Sequence, residues 1–74
     1  MWVLNQRRNR IFNVTEIWKT KEVNGEVQIR ANTPNDRNVR GVLLGTYSPK
    51  DADAIFKQIT FIIGVKNKYE MPEE

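Results

Sequence analysis

Leu43-Leu44-Gly45-Thr46-Tyr47-Ser48-Pro49-Lys50-Asp51-Ala52 reads as a strand that runs directly into a helix. Ser48 is a good N-cap because its hydroxyl can accept from an otherwise unsatisfied N–H of the first turn. Pro49 suits the first helical position, where its missing donor costs nothing. Asp51 stands three residues after the cap, where a capping box places its acidic partner. Ala52, Ile55, Phe56, Ile59, Ile62 and Ile63 then recur at helical spacing, and Gly64 suits the residue after the last turn. Gln58–Val65 is also rich in β-branched residues, which favours strand. Cap, period and terminal glycine agree on helix and favour it over strand.

Working outward, Trp2-Val3-Leu4-Asn5 and Ile11-Phe12-Asn13-Val14 read as short strands. The polar segment Gln6–Arg10 between them suits a turn, with Asn9 tolerating the left-handed conformation. Glu16–Val23 is a longer strand ending at Asn24-Gly25, a pair that accepts the positive φ angles of a type I′ hairpin turn. That turn sets Val23 opposite Glu26, Lys21 opposite Gln28 and Lys19 opposite Arg30. One hairpin face then holds Lys19, Lys21, Glu26, Gln28 and Arg30, and the other holds Trp18, Thr20, Val27, Ile29 and Ala31. The first is expected to be wet and basic, the second to be core. Thr33–Asn38 reads as a turn-rich loop. Val39–Tyr47 is the next strand, in which Gly41 and Gly45 suggest a bulge or a close backbone approach. Lys68–Met71 is a last edge strand, and Pro72-Glu73-Glu74 should fray. The expected architecture is α+β in a single domain, 1–74: an antiparallel sheet of four to five strands, built as a meander, with one helix packed on a face.

Composition narrows the function. The 74 residues include no cysteine and no histidine, which removes disulfides, the usual zinc ligands and a histidine base. Net charge is +3, and the excess is local: residues 1–40 hold eight Lys/Arg against four acids, residues 41–74 four against five. The basic character thus belongs to the sheet. Ser48 and Lys50 invite a Ser-Lys reading, but Ser48 is better used as a cap. Asp51 and Asp53 are two apart on a helix, point in different directions, and complement the helix dipole. No glycine-rich phosphate loop is present. Neither Met1–Leu4 nor Phe61–Val65 is long enough for a secretory leader or a bilayer span of about 20 residues. The expectation is a soluble, cytoplasmic, non-enzymatic protein without cofactor or metal.

Two features exceed what a scaffold requires. Lys19, Lys21 and Arg30, with Gln28 between them, form a basic face able to lie in a groove of nucleic acid. The plainer use of such charges is to keep an outer strand from aggregating. Phe61 lies nearly opposite the helical core stripe, grouped with Ala54 and close to Val65, and suggests a contact surface. A homodimer through Ala54, Phe61 and Val65, or another protein partner, is the expectation there.

Trp2-Val3-Leu4-Asn5-Gln6, Leu44-Gly45-Thr46-Tyr47 and Tyr69-Glu70-Met71-Pro72 resemble, over nearly the whole chain, a family of small bacterial and phage proteins without assigned activity. The resemblance implies a phage or mobile-element context and no mechanism. Residues 25–58, with Gly25–Arg30, Leu43–Tyr47 and the capped helix, are similar to the sheet-and-helix core of plant APETALA-type DNA-binding domains. Those domains read DNA with the exposed sheet face. The likeness implies a DNA-contacting role for Arg30 and places Gln28 where that family usually has glutamate. The chain lacks the Arg/Trp-rich first strand, and Trp18 falls on the expected core face. An interaction module is therefore the leading expectation, and nucleic-acid binding through Lys19, Lys21, Gln28 and Arg30 the alternative.

Overall fold

The computed structural model describes residues 1–34 and 40–73. Six strands, β1 (Trp2–Leu4), β2 (Ile11–Asn13), β3 (Glu16–Lys19), β4 (Val27–Asn32), β5 (Val42–Tyr47) and β6 (Lys68–Glu70), accompany one helix, α1 (Pro49–Ile62). They form two three-stranded sheets, β2-β1-β6 and β3-β4-β5, in place of the single sheet of four to five strands expected. The α+β class stands. β6 returns parallel to β1, with Tyr69 opposite Val3, so the chain's two ends share the smaller sheet.

Helix α1 begins at the expected N-cap, Ser48, with Pro49 as its first residue. Ser48 Oγ accepts from the Asp51 N–H at 3.2 Å with Pro49 in the first turn. The helix buries Ala52, Ile55 and Ile59 against β4 and β5, where they meet Val27, Ile29, Ala31, Leu44 and Tyr47. Val3, Val14 and Met71 extend this core toward the smaller sheet. Ile63 is the C-cap and Gly64 follows at φ +81°, the left-handed geometry for which the glycine was expected. Ile63 itself is exposed and leaves the core stripe one residue early.

Gln6 joins the two sheets. Its N–H donates to Leu44 O at 2.7 Å. Its side-chain Oε1 accepts from the Thr46 N–H at 2.8 Å, and Nε2 donates to Thr46 O at 3.1 Å. One glutamine thus occupies the outer edge of β5 where another strand would otherwise pair. In the preceding turn the positive φ falls on Arg8 (+60°), not on Asn9. The Asn5 carboxamide explains the shift: its Oδ1 accepts from the Asn9 and Arg10 N–H groups, which holds Asn9 inside the turn.

The hairpin register departs from expectation by one residue. Asn24 and Gly25 do form the two-residue turn, with φ +54° and +77°, and Val23 does pair with Glu26. Beyond it, Thr20 donates from its N–H to Gln28 O, and its hydroxyl accepts the Gln28 N–H. Lys21 and Glu22 are therefore set against Val27 alone, as a bulge. The regular pairs that follow are Lys19–Ile29, Trp18–Arg30 and Ile17–Ala31. Because side chains alternate, this single extra residue exchanges the faces of the whole strand. Lys19 turns toward the helix and Trp18 turns outward. The extended strand anticipated over Glu16–Val23 ends at Lys19 for the same reason.

A second irregularity lies between β4 and β5, where Ile29 faces Gly45 but Arg30 faces Leu43. Gly45 leaves room for the Tyr47 ring, whose atoms would stand 2.6–2.9 Å from an added Cβ. Gly41 sits just before β5 at φ +64°, where a Cβ would lie 2.3 Å from Ala31 O and 2.7 Å from the Trp18 ring. Val39, expected as the start of this strand, lies outside the described residues, as does most of the Thr33–Asn38 loop.

Candidate functional site

The face of the β3-β4-β5 sheet turned away from α1 gathers Trp18, Thr20, Gln28, Arg30, Leu43 and Thr46 by strand alternation. Trp18, Thr20, Gln28, Arg30 and Arg40 line one hollow on it. A second hollow, lined by Thr20, Lys21, Val23, Asn24, Glu26, Gln28 and Thr46, shares Thr20 and Gln28 with the first and continues it toward the hairpin tip.

Arg30 is the fixed point of this face. Its Nε donates to Arg40 O at 2.6 Å, one terminal nitrogen to Gln28 Oε1 at 2.9 Å, and the other to Gly41 O at 3.4 Å. A guanidinium carries five N–H donors, so these three bonds hold it in one orientation and leave two donors directed elsewhere. Trp18 lies across Gly41, and the absent Cβ is what lets the ring settle on the backbone there. The site thus offers a half-buried indole beside a pre-oriented guanidinium, flanked by amide and hydroxyl groups. Among the described residues, the acids on this face are Glu16, whose carboxylate accepts from Asn32 Nδ2 at 2.9 Å, and Glu26 in the second hollow.

Of the four residues expected to form a nucleic-acid face, Lys21, Gln28 and Arg30 are brought together here. Lys19 is not. Its ammonium pairs with the Asp53 carboxylate on α1 and stands 5.7 Å from the centre of the Phe56 ring. The hydrogen bond from Lys19, reinforced by its charge, holds the Asp53 carboxyl below its ordinary range. Lys19 thus helps seat the helix, and Trp18 takes the place expected of it. Arg40 and Thr46 also belong to the face and were not singled out. Ile17 was the available signal: the expected register put it on the wet face beside Lys19, whereas a one-residue bulge returns it to the core side.

The other expected contact residues, Ala54, Phe61 and Val65, are all exposed, Phe61 at 83% and Val65 at 76% of full accessibility. Phe61 lines a groove with Lys57, Gln58, Ile62, Lys66, Lys68, Tyr69 and Glu70. Among the described residues, no helix is long and apolar enough to cross a membrane. Compared with known proteins, the chain matches no family model, no curated protein and no solved structure.

Proposed function

We propose that the protein is a non-enzymatic binding module that lays the outer face of its β3-β4-β5 sheet into a groove of duplex nucleic acid. The observation that carries this reading is the placement of Trp18 beside a guanidinium locked by Gln28 and two backbone carbonyls. An arginine held flat by the protein meets a phosphate or the edge of a guanine with little further loss of side-chain freedom. Gln28, Thr20 and Thr46 add neutral hydrogen-bonding groups, and Lys21 adds a cation at the hairpin end. A three-stranded sheet braced by a helix on its far side is a stiff support for such contacts. The outward position of Trp18 also removes one departure from the APETALA-type pattern, which supports the same reading.

The test is an anisotropy titration of a labelled DNA duplex at rising salt. With Lys21, Arg30 and Arg40 near phosphates, log K should fall against log salt with a slope of about −2 to −3. Arg30→Gln should weaken binding about tenfold. Lys21→Glu should weaken it and flatten the salt slope. Lys19→Ala should leave affinity unchanged, because Lys19 is on the other side of the sheet. Absence of binding at micromolar protein in low salt, or a loss at Lys19 equal to that at Arg30, refutes the proposal.

A further inference from the structure

The groove beside Phe61 is separate from the sheet face and poses its own question. Among the described residues, strand β6 pairs with β1 alone. The Asn67 C=O accepts from Trp2 and the Met71 N–H donates to Leu4 O. By the two-residue alternation of a strand, Tyr69 also faces β1, and the N–H and C=O groups of Lys68 and Glu70 point away from it. An open strand edge therefore runs along one side of the groove.

The opposite wall is the C-terminal half of α1, with Lys57, Phe61 and Ile62, and the cavity between them is about 520 Å³. The Tyr69 hydroxyl donates to Gln58 Oε1 at 2.7 Å and ties the floor to the helix. The rim is basic: Lys57, Lys66 and Lys68 surround the apolar floor, and the acid, Glu70, is engaged by Arg8 at 3.1 Å. Phe61 makes the groove apolar at the place where an incoming side chain would rest.

We infer that this groove takes an extended acidic peptide, which adds to β6 as an outer strand with alternate apolar side chains resting on Phe61 and Ile62. Main-chain bonds to Lys68 and Glu70 supply the pairing, and the groove and its lysines supply selectivity. The charges choose the occupant. A second copy of this chain would bring two basic rims, each with Lys57, Lys66 and Lys68 and with Glu70 already paired to Arg8, into one interface, whereas carboxylates on a partner would neutralise them. The homodimer expected at Phe61 is therefore the competing occupant.

The experiment titrates the full ¹⁵N-labelled chain with a synthetic peptide alternating glutamate with valine, and with its counterpart bearing lysine in place of glutamate. The acidic peptide should shift the amides of Lys57–Ile62 and Lys66–Glu70, slow exchange at Lys68 and Glu70, and bind at least about tenfold tighter than the lysine peptide. Phe61→Ser should weaken it about tenfold while leaving the spectrum otherwise unchanged, since Phe61 is exposed. Lys57→Glu should reduce the preference for the acidic peptide. No shift at millimolar peptide, equal binding of both peptides, or shifts confined to Trp18 and Arg30 would overturn the inference. So would concentration-dependent shifts at Phe61 without peptide, which would mark a second copy, or a DNA duplex that perturbs this groove in preference to the sheet face.

Discussion

Replacing Gln6 by alanine tests whether one side chain holds the two sheets together. Its amide satisfies the N–H and C=O of Thr46 on the outer edge of β5 and also donates to Glu73 O at 3.1 Å. The Glu73 bond is exposed and worth little. The Thr46 pair is partly buried, and truncation leaves a strand N–H and a C=O without their partner. At about 1 kcal/mol per bond, rising toward 2 for an orphaned donor, Gln6→Ala should cost about 2–3 kcal/mol. That is a large share of the stability of so short a chain, on the order of 5 kcal/mol, and corresponds to a fall in Tm of at least about 10 °C. Urea unfolding followed by circular dichroism measures it: the midpoint should drop while the slope stays constant. Gln6→Glu separates hydrogen bonding from packing. Its carboxylate keeps an acceptor for the Thr46 N–H but faces two carbonyl oxygens, so at neutral pH it should be no better than alanine. Facing those oxygens raises the Glu carboxyl's folded pKa, so its relative stability should recover as pH falls toward the carboxylate range. A loss below about 0.5 kcal/mol for both variants would refute the bridge.

Further outcomes follow from the backbone and from Tyr47. Gly41→Ala should destabilise by more than about 2 kcal/mol, because positive φ combines with a 2.3 Å approach to Ala31 O. Gly25→Ala, at φ +77° with nothing within 4 Å, should cost only the left-handed penalty of about 1 kcal/mol. Equal losses in urea unfolding would contradict the close approach at Gly41. Burial pushes the Tyr47 hydroxyl up from 10.0 to about 12, and that hydroxyl donates to Pro72 O at 2.6 Å. The unfolded chain ionises first, so stability should hold below pH 10 and fall by up to about 2 kcal/mol as pH rises toward 12. Tyr47→Phe should remove most of that alkaline loss, and urea midpoints on either side of pH 10 would show it.

The joint at residues 43–52 was legible because cap, proline and period act locally, and Ser48 and Ala52 do there what their chemistry dictates. The Asn24-Gly25 turn was legible for the same reason. The faces of β3 were not. A turn fixes register only as far as the ladder stays regular, and the hydroxyl of Thr20 takes a ladder bond that lets Lys21 and Glu22 bulge. The core demand of Ile17 outweighed the turn's count. The split into two sheets escaped for a different reason: it depends on β6 returning beside β1 and on Gln6 closing β5, contacts more than 35 residues apart in sequence that no local pattern encodes. As a consequence Lys21, Gln28 and Arg30 could be found by charge and alternation, while Trp18 required the bulge to be seen, and Arg40 the backbone turn at Gly41 that brings its carbonyl to Arg30.

The proposed nucleic-acid surface is the sheet face that bears Trp18 and Arg30. Mapping amide shifts of the ¹⁵N-labelled chain on addition of a short DNA duplex tests it most directly. Shifts are expected at Trp18, Thr20, Gln28, Arg30 and Thr46, with Lys19 and Asp53 undisturbed. Shifts centred on α1 or β6, or none at saturating duplex, would contradict it.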